Sequence, residues 1–294
     1  LLKAAGQFIG YSEAALRIWS VLAMAGVLLF THKIALAYFN DRGLAGWTLL
    51  LTVVNPVVYL FALEARAYAL VVLATVAAVY CLQKYLQAHG SKWLAPLTLA
   101  LFAGIYLQNI FILPLLLVLA TLTWDFFHGH RDPRLLLVPV ILFLGFLPWL
   151  QVLFTQVGTV AAQGFWLQFN YYLDFFKVTA MLFSADFWDP AFTWQALIFL
   201  PLAGIALISV YFGWFRELRA AKKRLPLASI FSLLPMLLMY LLSFRIPLMY
   251  FRYLLYILPF FMLLTVSTWS KKRGMLLLVS LLMLFVTAYC LWVL

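Results

Sequence analysis

The residues of this chain best placed to do chemistry are a few ions set at the edges of long apolar runs. Asn55-Pro56 is followed by Glu64-Ala65-Arg66-Ala67-Tyr68, and a second group, Arg245 with Arg252-Tyr253, lies toward the C-terminus. A charged side chain near a membrane span costs on the order of 2 to 4 kcal/mol if it faces lipid. Glu64 and Arg66 therefore need a polar partner, a cavity or a water face. Arginine forks bind phosphate oxygens two at a time. Arg66, Arg245 and Arg252 beside the single carboxylate of Glu64, with Tyr68 and Tyr253 at similar depth, suit a phosphate or diphosphate held close to a bilayer surface. The same residues also suit snorkelling and an internal pair of Glu64 with Arg66 or Arg252.

The elements that must position these ions are membrane helices. Hydrophobic residues make up 67% of the chain, aromatics 18% and charged residues 10%, more apolar surface than a water-soluble core buries. The mean hydropathy is +1.05. Crossing the hydrocarbon takes about 20 apolar residues, and backbone satisfaction there favours helices. The expected fold is an all-α polytopic bundle of about ten spans. They run approximately over Ile18–Tyr38, Leu44–Ala62, Ala67–Leu86, Trp93–Leu107, Ile110–Phe127, Leu135–Thr155, Trp194–Phe215, Leu227–Phe244, Met249–Thr268 and Met275–Trp292. This scheme requires a tight re-entry at Gln108-Asn109.

Basic residues orient the bundle, because Lys and Arg concentrate on the cytoplasmic side. One set of alternate loops holds 14 of the 20, from Lys33 to Arg273, and the other holds Lys3, Arg17, Arg66, Lys177, Arg245 and Arg252. Glu64 and its arginines are then external, as are both chain ends. The net charge of +11 does not point to nucleic acid, since most of it falls in short connections with no basic domain to receive a duplex. The run Arg216 to Arg224 reads as an orientation signal that touches anionic headgroups.

Other chemistry is thinly represented. His128-Gly129-His130, with Asp125 and Asp132 nearby, is a weak metal pattern, and solvated loop residues are the expected reading. Cys81 and Cys290 fall within spans, where cysteine behaves as a small hydrophobe. The chain has no glycine-rich nucleotide loop, nucleophile elbow or Walker pattern. It begins Leu1-Leu2-Lys3, without methionine or a signal sequence, so at least one preceding transmembrane helix is expected.

The longest external loop spans residues 156–193. Its middle places Asn170, Asp174 and Lys177 on one helical face and Phe169, Leu173, Phe176 and Ala180 on another, which predicts an interfacial amphipathic helix. The aromatics around it, including Phe165, Trp166, Tyr171, Tyr172, Phe187, Trp188 and Trp194, fit either a headgroup-level belt or a wall for a lipid carrier and its sugar.

Three stretches carry a family resemblance. Gly10-Tyr11-Ser12-Glu13-Ala14-Ala15-Leu16-Arg17-Ile18, continuing to Ser20-Val21-Leu22-Ala23, resembles the start of the second helix of polyprenyl-phosphate-sugar-dependent glycosyltransferases with the C-type fold, the protein O-mannosyltransferase-like and aminoarabinose-transferase-like enzymes. Asn55-Pro56 with Glu64-Ala65-Arg66-Ala67-Tyr68 looks like the superfamily's proline and acidic-x-Arg-x-Tyr signature. Phe251-Arg252-Tyr253-Leu254 with Pro259 is similar to its late Arg-Tyr-Leu and proline element. Their order and spacing agree across nearly the whole chain.

The resemblance implies one transmembrane domain over residues 1–294. Its reaction would move a sugar from an undecaprenyl- or dolichyl-phosphate carrier to a glycan, lipid or protein acceptor, outside what is expected to be a bacterial inner membrane. Arg66, Arg245 and Arg252 would hold the carrier phosphate, Glu64 would orient an arginine, bind the acceptor or assist a divalent metal, and Tyr68 and Tyr253 would donate hydrogen bonds or simply pack. Gln108 and Asn109 would line the same cavity. The superfamily's catalytic carboxylate lies in a first external loop that corresponds to sequence ahead of Gly10, so no residue here is nominated as the base, and the 294-residue chain alone is expected to be inactive. Two other classes remain open. A transporter or lipid flippase should carry functional ions in mid-span and an internal repeat. An O-antigen-type polymerase or ligase should carry arginines in its largest external loop, where this chain has only Lys177.

Overall fold

The helices of this computed structural model break where the sequence supplies proline, glycine or a capping side chain. The structure describes residues 13–64, 66–128, 131–163, 174–184, 193–220, 226–245 and 249–293, and among them all regular structure is helical. In chain order the α-helices are α1 (Glu13–Phe39), α2 (Arg42–Val53), α3 (Pro56–Leu63), α4 (Tyr68–Ala88), α5 (Leu94–Leu107), α6 (Ile112–His128), α7 (Leu137–Phe146), α8 (Leu150–Gln163), α9 (Asp174–Ser184), α10 (Thr193–Ala220), α11 (Leu227–Ile230), α12 (Leu233–Ser243), α13 (Leu258–Trp269) and α14 (Arg273–Val293). Short 3-10 turns precede α5, α6, α7, α8 and α13.

Helices α2 and α3 form one apolar unit bent by 55° at Val54-Asn55. Pro56 forces Asn55 out of the helical region, to φ −74° and ψ 126°. The freed backbone groups are then satisfied by side chains, as a low-dielectric setting requires. Asn55 Oδ1 accepts from the Val57 amide at 2.9 Å, and the Thr287 hydroxyl donates to the Val54 carbonyl at 2.8 Å. Asn55 Nδ2 reaches on to the Leu182 carbonyl of α9 at 3.0 Å. One break thus ties α3 to α9 and α14.

Helices α1 and α4 run side by side in the same direction, because Ser20 meets Arg66, Gly26 meets Leu73 and Phe30 meets Tyr80. Gly26 permits the approach: a Cβ there would lie 2.7 Å from Leu73 Cδ1. The helix breaks between α5 and α6 where the sequence placed a re-entry. Gln108 is extended at φ −161°, and the Phe111 ring folds back over Gly104, whose added Cβ would stand 2.2 Å from Phe111 Cζ. The centre of the bundle is α13, buried at every position from Leu258 to Val266.

The outside of the bundle is apolar. Leu99, Phe143 and Phe154 are each about two-thirds exposed, at 69%, 65% and 70%. Water would penalise such a surface, whereas acyl chains would not. Among the described residues six helical segments are long and apolar enough to cross a membrane: 17–39, 68–88, 109–128, 133–156, 251–269 and 273–292. The bent α2–α3 pair makes a seventh if it is one span, and 91–107 and 227–243 are shorter apolar helices. The ten segments expected from the sequence are largely helical, with breaks at Val54-Asn55 and Phe231-Ser232 and a non-helical start at Met249-Tyr250. Only the segments above meet the length and hydropathy of a crossing, so ten crossings are not shown. Length and composition establish a helical protein suited to a membrane.

The molecule has two chemically different ends. At one, Glu64, Arg66, Arg245 and Arg252 lie beside helix termini. At the other, His89 pairs with Asp125 at 3.8 Å, Arg134 bonds Ser91, and Arg216 Nη1 donates to the Ser267 carbonyl at 2.9 Å. This second end carries most of the described Lys and Arg residues and is called the basic end below.

Candidate functional site at the ends of α3 and α13

Helix α3 stops at Leu63, and Glu64 takes an extended conformation with φ −80° and ψ 129°. That turn is anchored from a distance. The buried Ser20 hydroxyl of α1 donates to the Glu64 carbonyl at 2.6 Å and approaches the Arg66 carbonyl at 3.4 Å. The Arg66 amide donates to the Glu64 carbonyl at 2.9 Å. With the backbone fixed, the Glu64 side chain projects from the end of α3, one helical step beyond Phe61 on the same face.

The partner comes from the 3-10 segment Phe251–Ile257 that leads into α13. A 3-10 turn has three residues per revolution, so Phe251, Leu254 and Ile257 align, and all three are fully buried. Pro259, in the first turn of α13, suits a helix start, where no amide hydrogen is needed. The buried stripe leaves Arg252 and Tyr253 half-buried at the rim.

Arg252 Nη1 stands 3.6 Å from Glu64 Oε1, with the two side chains 27% and 24% exposed. At that distance the contact is ionic and not a hydrogen bond. Glu64 Oε2 and Arg252 Nε are buried atoms with no hydrogen-bond partner among the described residues. Such orphaned groups are uncommon, because each forfeits its hydration without compensation. The guanidinium also lies over three rings, 5.9 Å from the Phe61 centroid, 5.8 Å from Tyr250 and 5.9 Å from Phe251. Aromatic faces attract a cation and keep it charged and oriented.

Of the six residues nominated from sequence, the structure brings Glu64 and Arg252 into direct contact and places both tyrosines on the surrounding rings. The Tyr68 ring packs edge-on against Phe61 at 5.3 Å, and Tyr253 against Tyr250 at 5.9 Å. The other two arginines depart from the expected cluster. The side chains of Arg66 and Arg245 are exposed, and neither makes a hydrogen bond or ion pair to Glu64 or Arg252 among the described residues. Arg66 sits in the turn after the chain has left α3, and Arg245 in the turn that closes α12, so neither shares the Phe61 face. Asn109 at the α5–α6 turn donates to Gln156 Oε1 at 2.6 Å, an exposed contact between that turn and the middle of α8.

Helix α9 confirms a helix in the long loop but not the expected face. Val178, Thr179, Leu182, Phe183 and Ser184 are buried, whereas Phe176, assigned to the apolar side, is 49% exposed. The bond from Asn55 to Leu182 and the bundle contacts of Phe183 rotate the helix toward the core. Phe169, Asn170 and Leu173 lie outside the described residues, as do the surrounding aromatics from Phe165 to Tyr172 and Phe187 and Trp188.

Among the described residues no three His, Cys, Asp or Glu side chains come together to hold a metal ion. Glu64 faces a guanidinium, which is a poor neighbour for a divalent cation. His128 stacks on Trp124 with centroids 3.9 Å apart, while Gly129 and His130 lie outside the described residues. Cys81 and Cys290 are both buried free thiols.

Sequence reasoning missed three residues. Ser20 and Phe61 hold the site, and their only signals were a hydroxyl in an apolar helix and an aromatic three positions before Glu64. The third, Glu217, lies at the basic end inside the run taken as an orientation signal. It is buried and accepts hydrogen bonds from the Ala228 amide at 3.2 Å, the Ser229 amide at 2.6 Å and the Ser229 hydroxyl. Both carboxylate oxygens are engaged, so it stitches α10 to α11. Compared with known proteins, the chain matches no protein-family model, no curated protein and no solved structure.

Proposed function

We propose that this chain is the membrane domain of a glycosyltransferase that takes a sugar from a polyprenyl-phosphate carrier, with Glu64 and Arg252 at the binding site for the carrier phosphate and its sugar. In this reading the ten apolar segments all cross the bilayer, the fold is of the C type, and the end bearing Glu64 faces outward. The single observation that carries it is the Glu64–Arg252 pair with its two orphaned atoms. Arg252 Nε needs an acceptor and Glu64 Oε2 needs a donor. A phosphate oxygen supplies the first and a sugar hydroxyl the second, so a sugar phosphate satisfies both at once. The ring-bounded guanidinium then stabilises negative charge that grows on the phosphate as the glycosidic bond breaks. Placement at helix ends, not in mid-span, suits a substrate with a headgroup in water and a tail in lipid.

The test is binding of a polyprenyl-phosphate-linked sugar to the full chain in nanodiscs. Arg252→Gln should weaken binding about 100-fold, and Arg252→Lys should recover only part of it, because a point charge lacks the guanidinium fork. Equal affinity of R252Q and the unaltered protein, with folding intact, would overturn the reading.

A further inference from the structure

A second site lies at the basic end, remote from Glu64 and independent of the reading above. Between helices α5 and α7 at that end lies a groove of about 630 Å³. Its walls are Leu94, Thr98 and Phe102 on one side and Leu137, Val138 and Ile141 on the other. The far end of the cleft is closed, because the Tyr106 hydroxyl donates to the Gly145 carbonyl and the Phe102 ring abuts Gly145. The open end holds one charged residue, Arg134.

Arg134 is built into that mouth. Asp132 accepts from the Arg134 amide at 3.0 Å and Pro133 follows in the first position of the turn, so the backbone leading into α7 is fixed. Arg134 Nη1 donates to Ser91 Oγ at 2.8 Å, across the top of the groove. That neutral hydroxyl occupies one of five guanidinium donors. Lys92, next to Ser91, and Arg131 are both exposed beside it, so the corner carries three cations against the carboxylate of Asp132. On the other flank of α7 a smaller groove of about 260 Å³, lined wholly by apolar side chains and Thr123, opens at the same level, beside Leu135 and Leu136.

We infer that this corner binds a two-chain anionic phospholipid, its phosphate on Arg134 and an acyl chain in each groove beside α7. The charge selects the headgroup, since a cationic corner at the surface of a bilayer attracts anionic lipid. The two clefts flanking one helix select two chains. A closed far end sets the depth to which the first chain enters.

Native mass spectrometry of the full chain, released from nanodiscs of mixed phosphatidylglycerol and phosphatidylcholine with identical chains, tests this directly. The unaltered protein should retain phosphatidylglycerol at least fivefold over phosphatidylcholine. Arg134→Gln should abolish that preference, and Thr98→Trp, which fills the groove and leaves the charge, should lower retention of both lipids. Arg252→Gln should leave the preference as it was, which separates this site from the one at the other end. Thermal unfolding of each variant in the same nanodiscs checks that it is folded. Equal retention of the two lipids by the unaltered protein, an unchanged preference in folded R134Q, or loss of the preference in R252Q would each overturn the assignment.

Discussion

Phe61 does for Arg252 what a second carboxylate does in many ion pairs: it limits where the guanidinium sits. Its ring is fully buried, touches Tyr68 and Phe251, and lies one helical step before Glu64. Truncation there removes three contacts at once. Phe61→Ala should cost about 3 to 5 kcal/mol of stability and lower the midpoint of thermal unfolding in detergent. The milder Phe61→Leu keeps most of the volume, so it should fold while loosening Arg252 and, under the proposed function, weakening binding of the lipid-linked sugar. Equal affinity of F61L and the unaltered protein for that proposed donor would show that the ring acts only in packing.

At the scale of elements, the break between α2 and α3 matters more than either helix. Asn55 alone caps α3 and holds α9 through the Leu182 carbonyl. Asn55→Ala should therefore cost about 1.5 to 5 kcal/mol, the sum of a lost cap and an unpaired buried carbonyl. Hydrogen exchange should rise over 174–184 first, because α9 loses its buried tether; protection unchanged in that helix would refute the link. The α5–α6 break depends on close approach in the same way. Gly104→Val places methyl groups inside the Phe111 ring, which is fully buried and cannot withdraw freely. Overpacking of about 1 to 3 kcal/mol should appear as a lower unfolding midpoint, and Phe111→Ala in the same chain should restore part of it.

For the whole molecule, the uneven division of charge between the two ends makes a topological prediction. The exposed positions Arg245 and Lys272 belong to opposite ends, and the native cysteines Cys81 and Cys290 are buried. Cysteine introduced as R245C should react with an impermeant maleimide in right-side-out vesicles, and K272C only in inverted ones. Labelling of both from the same side would rule out the ten-crossing arrangement, in which residues 245 and 272 are separated by one span.

The sequence by itself determined the class and the local punctuation of this protein. Apolar composition leaves lipid as the only solvent that tolerates such a surface, and Asn55-Pro56, Gln108-Asn109 and Pro259 mark breaks through backbone chemistry that acts over a few residues. It also drew attention to Glu64 and Arg252, because ions are costly beside apolar runs. Only the tertiary structure decided that these two meet while Arg66 and Arg245 stay apart, since the choice depends on Phe61 packing against Phe251 from the far part of the chain. The inward turn of α9 was hidden for a related reason. Its helical periodicity fits two faces almost equally well, and the choice was made by an asparagine more than a hundred residues earlier, which supplies the hydrogen bond that a buried helix needs.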